Sequence, residues 1–440
     1  MSRFIRGMRR TAQVLAIATP VLGIALGIWY RAHYVLPIYE EDAVSHAVLL
    51  PNGYDTILAA GKLLVKKHDG VEVNPWPKPK TPYTLAQRKA FVAANKPAIN
   101  KLREGLAQEY LDQSGEHFNS TALRALARTL AFAAKTSADA GDLPGASRYA
   151  LDAIALSQQI PRGGGMMPEI IGNSCEPFGQ KALWEIADKL DAKTARAAAA
   201  RLAALEKTRL PLSATFQEEK RTVRSQFQPI FNGGPIAAWR NTATFFGEAQ
   251  ATTNQLIKMM PGESASEPEP ETLADKFQWA KLRAQIVYYG PRAVAENMGN
   301  WMELVGRRSE QPWSNPRPEP PLPSDPLSQI ILPVYGQLEI KWMLTRAQSQ
   351  LLQGYLLLRA VRLETGHYPK PSEAAKFLPT DPFSPTRAPL HYRRDSAEKI
   401  TLWSVGPNAT DEGGVPGKQE AGKEGMPGDL VAAQTTVERF

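Results

Sequence analysis

The sequence predicts a mainly α-helical protein with a transmembrane helix at its amino terminus and a small α+β module at its carboxyl end. Three observations support this fold class. Residues 11–30 are uncharged and mostly apolar, apolar residues between 85 and 310 recur at helical spacing, and two short alternating stretches follow residue 388. With 440 residues, 43% of them hydrophobic, and one cysteine, the chain is neither disordered throughout nor held together by disulfides.

The first 30 residues predict a membrane anchor. The stretch 11–30, TAQVLAIATPVLGIALGIWY, is long enough for a helix to cross a hydrocarbon core of about 30 Å. Four arginines precede it in a basic segment at 1–10, which places the amino terminus in the cytoplasm. We therefore expect a single-pass protein of a bacterial inner membrane, with the bulk of the chain extracytoplasmic. A cleaved signal peptide is the alternative.

A helical repeat-like domain is predicted at 85–260, after a connecting segment at 31–84. Leucines in 121–143 recur three and four apart, and a second helical face follows a Gly-Asp turn. This pattern predicts an antiparallel helical hairpin. The stretch from Gly141 to Pro161 resembles one tetratricopeptide unit, so we expect a bundle of similar hairpins.

Proline and polar residues divide the chain beyond this domain. The Glu/Pro-rich stretch 261–272 is predicted to be a linker, and 273–310 a helical pair broken at Gly290. The proline-rich stretch 311–333 predicts an extended linker in which no helix persists.

A small α+β module is predicted at 334–431, followed by a tail at 432–440. Apolar residues spaced three and four apart predict one long amphipathic helix that ends at Gly366. The stretches PLHYRR (389–394) and ITLWSVG (400–406) alternate like the two strands of a hairpin.

The order of short motifs in this module resembles the globular domain of type II secretion major pseudopilins. A helix ending in ETGHYP is followed by FLPTDPFSP, the two strands, a Gly-rich stretch and a closing GDLV. The predicted anchor has no pilin cleavage motif, so the resemblance implies a borrowed fold and not fibre formation. The whole arrangement also resembles membrane-anchored bacterial families common in planctomycete-like genomes, a resemblance that implies an architecture and no activity.

The pseudopilin resemblance implies a calcium-binding loop near the carboxyl end. In that family the closing loop binds Ca²⁺ through backbone carbonyls and short oxygen-bearing side chains. Carried over to this chain, the candidate ligands are Asn408, Asp411 and Asp429, with Glu412 beside Asp411. Asn408 stands where the family has an aspartate, which removes one negative charge from the loop.

The sequence contains no recognisable catalytic motif. The six histidines are scattered, no H-E-x-x-H or G-x-S-x-G is present, and Gly163–Gly165 is not followed by Lys-Ser/Thr. Cys175 is predicted to be a packed, inert thiol. The acids whose burial would indicate an active site are Glu169, Glu176 and Glu218.

We therefore expect a non-enzymatic binding or scaffolding protein that carries a protein partner on its stacked helices. The alternatives are an accessory subunit of a secretion or other membrane complex, or an envelope hydrolase whose site is assembled from distant residues. Four of the eight net positive charges come from arginines in residues 1–10. The folded part is therefore only mildly basic, and we expect no nucleic-acid partner.

Overall fold

The computed structural model describes residues 21–37, 48–73, 81–112, 119–245, 273–416 and 428–432. The predicted segment 1–10, the linker 261–272, the first half of the predicted membrane helix and all but the first residue of the tail lie outside the described residues. Within them the protein is mainly helical, which confirms this part of the predicted fold class.

Helices make up most of the described chain. In chain order they are α1 Gly53–Lys62, α2 Leu85–Ala94, α3 Lys96–Leu106, α4 Ser120–Asp139, α5 Leu143–Gln159, α6 Met166–Ala187, α7 Ala192–Lys207, α8 Leu212–Phe231, α9 Leu273–Glu310, α10 Pro326–Ile331, α11 Pro333–Thr365 and α12 Pro371–Ala374. Stretches 21–34 and 234–245 are also helical and adjoin residues outside the described ranges. The strands are β1 Lys67–His68, β2 Val71–Glu72, β3 His391–Arg394, β4 Ile400–Ser404 and β5 Leu430–Val431.

The described residues form two compact units, each assembled from separate stretches of the chain. The larger unit contains those within 46–219, 303–320 and 334–440. The smaller unit contains those within 1–45, 220–302 and 321–333.

In the larger unit, α4 and α5 form the predicted helical hairpin. Its turn contains Gly141 at φ 83°, a left-handed conformation that glycine adopts without a steric penalty. Asp142 then caps α5, because its carboxylate accepts a hydrogen bond from the Gly145 amide at 2.9 Å. The leucines that predicted the inner face of α4 are fully buried or nearly so, at positions 123, 126 and 130.

Helix α6 approaches α5 closely at two glycines. A Cβ atom on Gly172 would lie 2.6 Å from the Ser157 carbonyl oxygen, and one on Gly179 would lie 2.5 Å from that of Ala150. These distances are far shorter than van der Waals contact, so the crossing requires glycine at both positions. It brings the polar face of α6 against α5.

Helix α11 is apolar on more than one side, so the prediction of a simple amphipathic helix is wrong. Leu352 and Leu356 belong to the core that α5, α6 and α7 also form. On another side, a Cβ on Gly354 would lie 3.2 Å from Leu378 and 3.3 Å from Leu402. An amphipathic helix has one apolar stripe, whereas α11 is covered by helices on one side and by the carboxyl-terminal residues on another.

A three-stranded antiparallel sheet completes the larger unit, in the order β3-β4-β5. Strand β3 pairs with β4 in the register His391–Trp403, and β4 pairs with β5 in the register Trp403–Val431. The predicted hairpin is therefore confirmed.

The proline-rich stretch 311–333 differs from the predicted extended linker. Trp313 is buried, its Nε1 donates a hydrogen bond to the Pro407 carbonyl at 2.8 Å, and its ring meets Phe383 edge-on. A helix does form here, since α10 begins at Pro326, a position that needs no backbone N–H. Its first turn is capped by Asp325, which accepts from the Ser328 amide at 2.9 Å.

Two helix breaks occur within the described residues, and the second is the one predicted at Gly290. Helix α2 ends at Ala94 and α3 begins at Lys96, with Pro97 in the first turn of α3. Helix α9 is kinked at Gly290, which has φ 70° and ψ 177°.

Among the described helices, none combines the length and the apolar character needed to cross a membrane. The described part of the predicted anchor, 21–30, belongs to a helix over 21–34 in the smaller unit, and the end of this helix contacts α9. His33 Nδ1 lies 3.1 Å from the Tyr289 carbonyl oxygen, and the Tyr34 hydroxyl donates to the Val287 carbonyl at 2.8 Å. That none of the described helices could cross a membrane contradicts the predicted single-pass helix at 11–30. It also contradicts the location inferred from that helix, a bacterial inner membrane with an extracytoplasmic bulk.

Candidate functional site

A buried polar cluster lies inside the larger unit. Helix α6 contributes four polar residues spaced four, three and four apart, which places them on one face of the helix. The facing helices and the segment after α7 supply their partners. We call the set the carboxylate cluster, and its members are Gln158, Glu169, Asn173, Glu176, Gln180, Glu206, Arg209, Thr215, Arg346 and Ser349.

Glu176 is the centre of this cluster, and its carboxylate is saturated with donors. Arg209 donates to both oxygens, at 2.7 Å from Nη2 to Oε1 and 2.9 Å from Nη1 to Oε2. Oε1 also accepts from Ser349 at 2.8 Å, from Gln158 at 3.2 Å and from Gln180 at 3.3 Å. The buried charge of Glu176 is thus compensated by an opposite charge and by hydrogen bonds.

Arg209 connects Glu176 to a second acid. Its Nε donates to Glu206 Oε2 at 2.9 Å, and the other oxygen of Glu206 accepts from Arg346. Burial alone would lower the pKa of Arg209, but the carboxylates of Glu176 and Glu206 raise it. Burial by itself would raise the pKa of Glu206, but the two guanidinium groups lower it. Both residues are therefore charged at neutral pH.

Glu169 is buried without a basic partner. Its Oε2 accepts from the Thr215 hydroxyl at 3.0 Å and its Oε1 from the Asn173 amide at 3.1 Å. Among the described residues, no lysine, arginine or histidine forms an ion pair with it. Burial raises the pKa of the Glu169 carboxyl to about 7; the Thr215 bond and Arg209 oppose this rise, and Glu176 adds to it.

A small recess adjoins the two acids. Glu169, Glu176, Arg209, Gln158 and Trp342 are among the residues that line it. Its interior volume is about 10 Å³, which is room for about one water molecule. A carboxyl group with a pKa near 7 can exchange a proton at neutral pH, but the recess has no room for a substrate larger than a few atoms.

The structure brings together two of the three acids that the sequence indicated. Glu169 and Glu176 share the cluster, whereas Glu218 is not part of it. Its neighbour Glu219 instead accepts a hydrogen bond from the Met166 amide at the start of α6, at 2.7 Å. Cys175 is fully buried and burial raises the pKa of its thiol, as expected for an inert cysteine.

Sequence reasoning missed Arg209 entirely. This residue lies after the end of α7, where nothing in the local pattern distinguishes it from a solvated arginine. The spacing of the four polar residues on α6 is a signal that could have revealed the acidic half of the cluster.

The three predicted calcium ligands do not converge. Asp411 Oδ1 accepts from Trp403 Nε1 at 2.8 Å, and its Oδ2 lies 3.1 Å from His391 Nδ1. The Asn408 amide nitrogen donates to Glu412. Within the described residues, no group of three or more His, Cys, Asp or Glu side chains is arranged to hold a metal ion.

Asp429, the third predicted ligand, lies beside Glu412. The Asp429 amide donates to Glu412 Oε2 at 3.0 Å, and the Gly414 amide donates to Asp429 Oδ2 at 2.7 Å. Asp429 Oδ1 is buried and has no partner among the described residues. Burial and the neighbouring Glu412 raise the pKa of Asp429 to about 6. Asp429 and Glu412 are therefore neighbouring carboxyl groups in the loop for which calcium binding was predicted.

No protein-family model matches this chain, and it matches neither a curated protein nor a solved structure. The resemblances to tetratricopeptide units, to pseudopilins and to planctomycete-like families therefore stay predictions.

Proposed function

We propose that this protein is a non-enzymatic scaffold whose larger unit is one rigid platform made of helical hairpins and an α+β module. The observation that supports this proposal is a hydrophobic core shared by several helices. Leu352, Leu356 and Ala360 of α11 belong to the same buried cluster as Ile154 of α5 and Leu183 of α6. Because interiors are close-packed, elements that share a core move together.

The carboxylate cluster supports a structural role. It bonds α6 to α5 through Gln158, to the segment after α7 through Arg209, and to α11 through Ser349. A buried ion pair contributes little net stability over an apolar core, but its geometry specifies which helices meet. Because Arg209 compensates its charge and Ser349, Gln158 and Gln180 also donate to its Oε1, Glu176 is committed to structural contacts.

We infer that the partner is a protein and that it binds the solvent-facing sides of α4 and α7. Stacked helical hairpins ordinarily bind partners through such extended surfaces. Lys135 on α4, and Lys193 and Lys207 on α7, lie exposed on these helices and can report contact.

Cross-linking of the natively purified full-length protein tests this function. We expect one stoichiometric partner, with lysine cross-links concentrated at 135, 193 and 207. Lys281 of the smaller unit, also exposed, is the matched control. A homogeneous protein without a partner, or cross-links spread evenly over both units, contradicts the proposal.

A second candidate function is acid–base hydrolysis, which the pKa of Glu169 near 7 favours. The test compares wild type with Glu169→Gln on small activated esters, whose reacting group has only the few atoms that the recess can admit. A general acid or base contributes about 10²–10⁴-fold to the rate, so the variant should lose that factor while its melting temperature stays within a few degrees. Absence of hydrolysis by the wild type eliminates this candidate.

A further inference from the structure

The carboxylate cluster carries one more negative than positive charge when all its acids are ionised. Its acids are Glu169, Glu176 and Glu206, and its bases are Arg209 and Arg346. Arg209 is held by Glu176 and Glu206, and Arg346 by Glu206. Arg209 also lines the recess, but its guanidinium is already neutralised by these two acids. The ionised Glu169 carboxylate therefore has no ion-pair partner in the cluster, and Arg209 acts on it only as a more distant charge.

Two side-chain amides also line the recess beside Glu169, and their oxygens can accept hydrogen bonds or bind a cation. Gln158 is 7% exposed and lines the recess. Its Nε2 donates to Glu176, while its Oε1 has no hydrogen-bond partner among the described residues. Asn173 lines the same recess and uses its amide nitrogen on Glu169, which leaves its amide oxygen as an acceptor. A buried acceptor without a donor calls for a partner, and a water molecule or an ion in the recess would supply one.

The volume and the charge of the recess indicate which kind of ion it can bind. The volume of about 10 Å³ admits one species of the size of a water molecule. A divalent ion generally requires more carboxylates than Glu169 alone supplies, whereas one carboxylate and two amide oxygens suit a singly charged, hard cation.

We propose that this recess binds one small monovalent cation, such as potassium or ammonium, through the Glu169 carboxylate and the amide oxygens of Gln158 and Asn173. The ion supplies the missing positive charge and the missing partner of Gln158 at the same time. It thereby completes the contacts that hold α5 against α6. The proposal is independent of whether the protein is a scaffold or a hydrolase.

Two simpler occupants compete with the cation. A proton on Glu169 would neutralise the same charge, and burial raises the pKa of this carboxyl to about 7, so protons compete near neutral pH. A water molecule would bond to Gln158 without neutralising Glu169. The other charged groups near Glu169 are Glu176 and Arg209, and Glu219 lies near the start of α6.

Thermal unfolding of the full chain at about pH 8 tests the proposal. The buffer contains choline chloride, and potassium, ammonium or sodium chloride replaces it at constant ionic strength. We expect at least one of the three to raise the melting temperature saturably by about 2 °C or more relative to choline. Glu169→Gln should abolish this response. Glu364→Gln, which removes an exposed acid paired with Arg196, should retain it.

Each other outcome is decisive. If no inorganic cation differs from choline and lowering the pH to about 6 stabilises the protein, the occupant is a proton. If neither changes stability, it is water. A response that persists in Glu169→Gln also overturns the proposal. Should that variant not fold, Asn173→Leu must raise the half-saturating cation concentration about tenfold or more, and an unchanged value refutes the site.

Discussion

Arg209 and Glu176 form a two-point ion pair in the interior of the larger unit. Nη2 of Arg209 lies 2.7 Å from Oε1 of Glu176, and Nη1 lies 2.9 Å from Oε2. The side chain of Arg209 is 7% exposed and that of Glu176 is 2% exposed. A bidentate pair fixes both distance and orientation, so the segment after α7 is held in one position against α6. Ser349 extends the same contact to α11.

Removing Arg209 should strongly destabilise the larger unit. Arg209→Met leaves Glu176 as an uncompensated buried charge, and we expect the free energy of unfolding to fall by about 3–5 kcal/mol. Arg196→Met removes the exposed pair with Glu364 and should cost less than about 1 kcal/mol. Urea unfolding measures the loss of free energy of unfolding in both variants.

The double variant Glu176→Gln with Arg209→Met should lose less free energy of unfolding than Arg209→Met alone. Equal losses for the two arginine variants would show that the buried pair is not coupled to the fold.

The close approach of α5 and α6 depends on Gly179. Its replacement by alanine puts a Cβ 2.5 Å from the Ala150 carbonyl oxygen, so the helices must separate. We expect Gly179→Ala to lower the free energy of unfolding of the larger unit by about 1–3 kcal/mol. Gly299, in α9 of the smaller unit, has open space around it. Gly299→Ala should therefore stabilise that unit by up to about 1 kcal/mol, as alanine does in helices. A stabilising Gly179→Ala would contradict the observed crossing.

The local elements of this protein follow from its sequence because local signals decide them. The hairpin of α4 and α5 is encoded by leucines three and four apart and by Gly141 and Asp142 in the turn. Strands β3 and β4 follow from alternation over a few residues. These features depend on backbone preferences that act within one or two turns of chain.

Features that depend on distant residues were not predictable in the same way. Spacing identified the apolar residues of α11 but not that helices and the carboxyl-terminal residues cover it from different sides. The apolar stretch 11–30 was interpreted by hydropathy alone, without the bonds of His33 and Tyr34 to residues 287–289. Glu169 and Glu176 were chosen correctly as acids to inspect, but Arg209, from beyond α7, was not.

The stability of the larger unit should fall as the pH rises towards 7. The folded-state pKa of Glu169 is about 7 against a usual value of 4.5, so the folded protein binds a proton that the unfolded chain has released. The stabilising effect is complete below about pH 4.5 and is lost by about pH 8, a change of about 3 kcal/mol. Glu169→Gln should remove this dependence and exceed wild type in stability at pH 8. Urea unfolding in choline chloride from pH 4.5 to 8 measures it, and parallel curves for the two proteins would refute the assignment.

Calcium should stabilise the carboxyl-terminal loop through Asp429 and Glu412. Asp429 Oδ1 is buried without a partner and the two carboxyl groups are neighbours, so a cation would relieve their repulsion. We expect millimolar calcium to raise the melting temperature of the full-length protein relative to EDTA, and Asp429→Asn to abolish the rise.

Asp411→Asn is the matched control. It keeps an oxygen that can accept from Trp403 and removes the charge that faces His391, and it should leave the calcium response intact. A response lost in Asp411→Asn and kept in Asp429→Asn would show that the ion is held elsewhere in the loop. No response in wild type would show that hydrogen bonds alone close it.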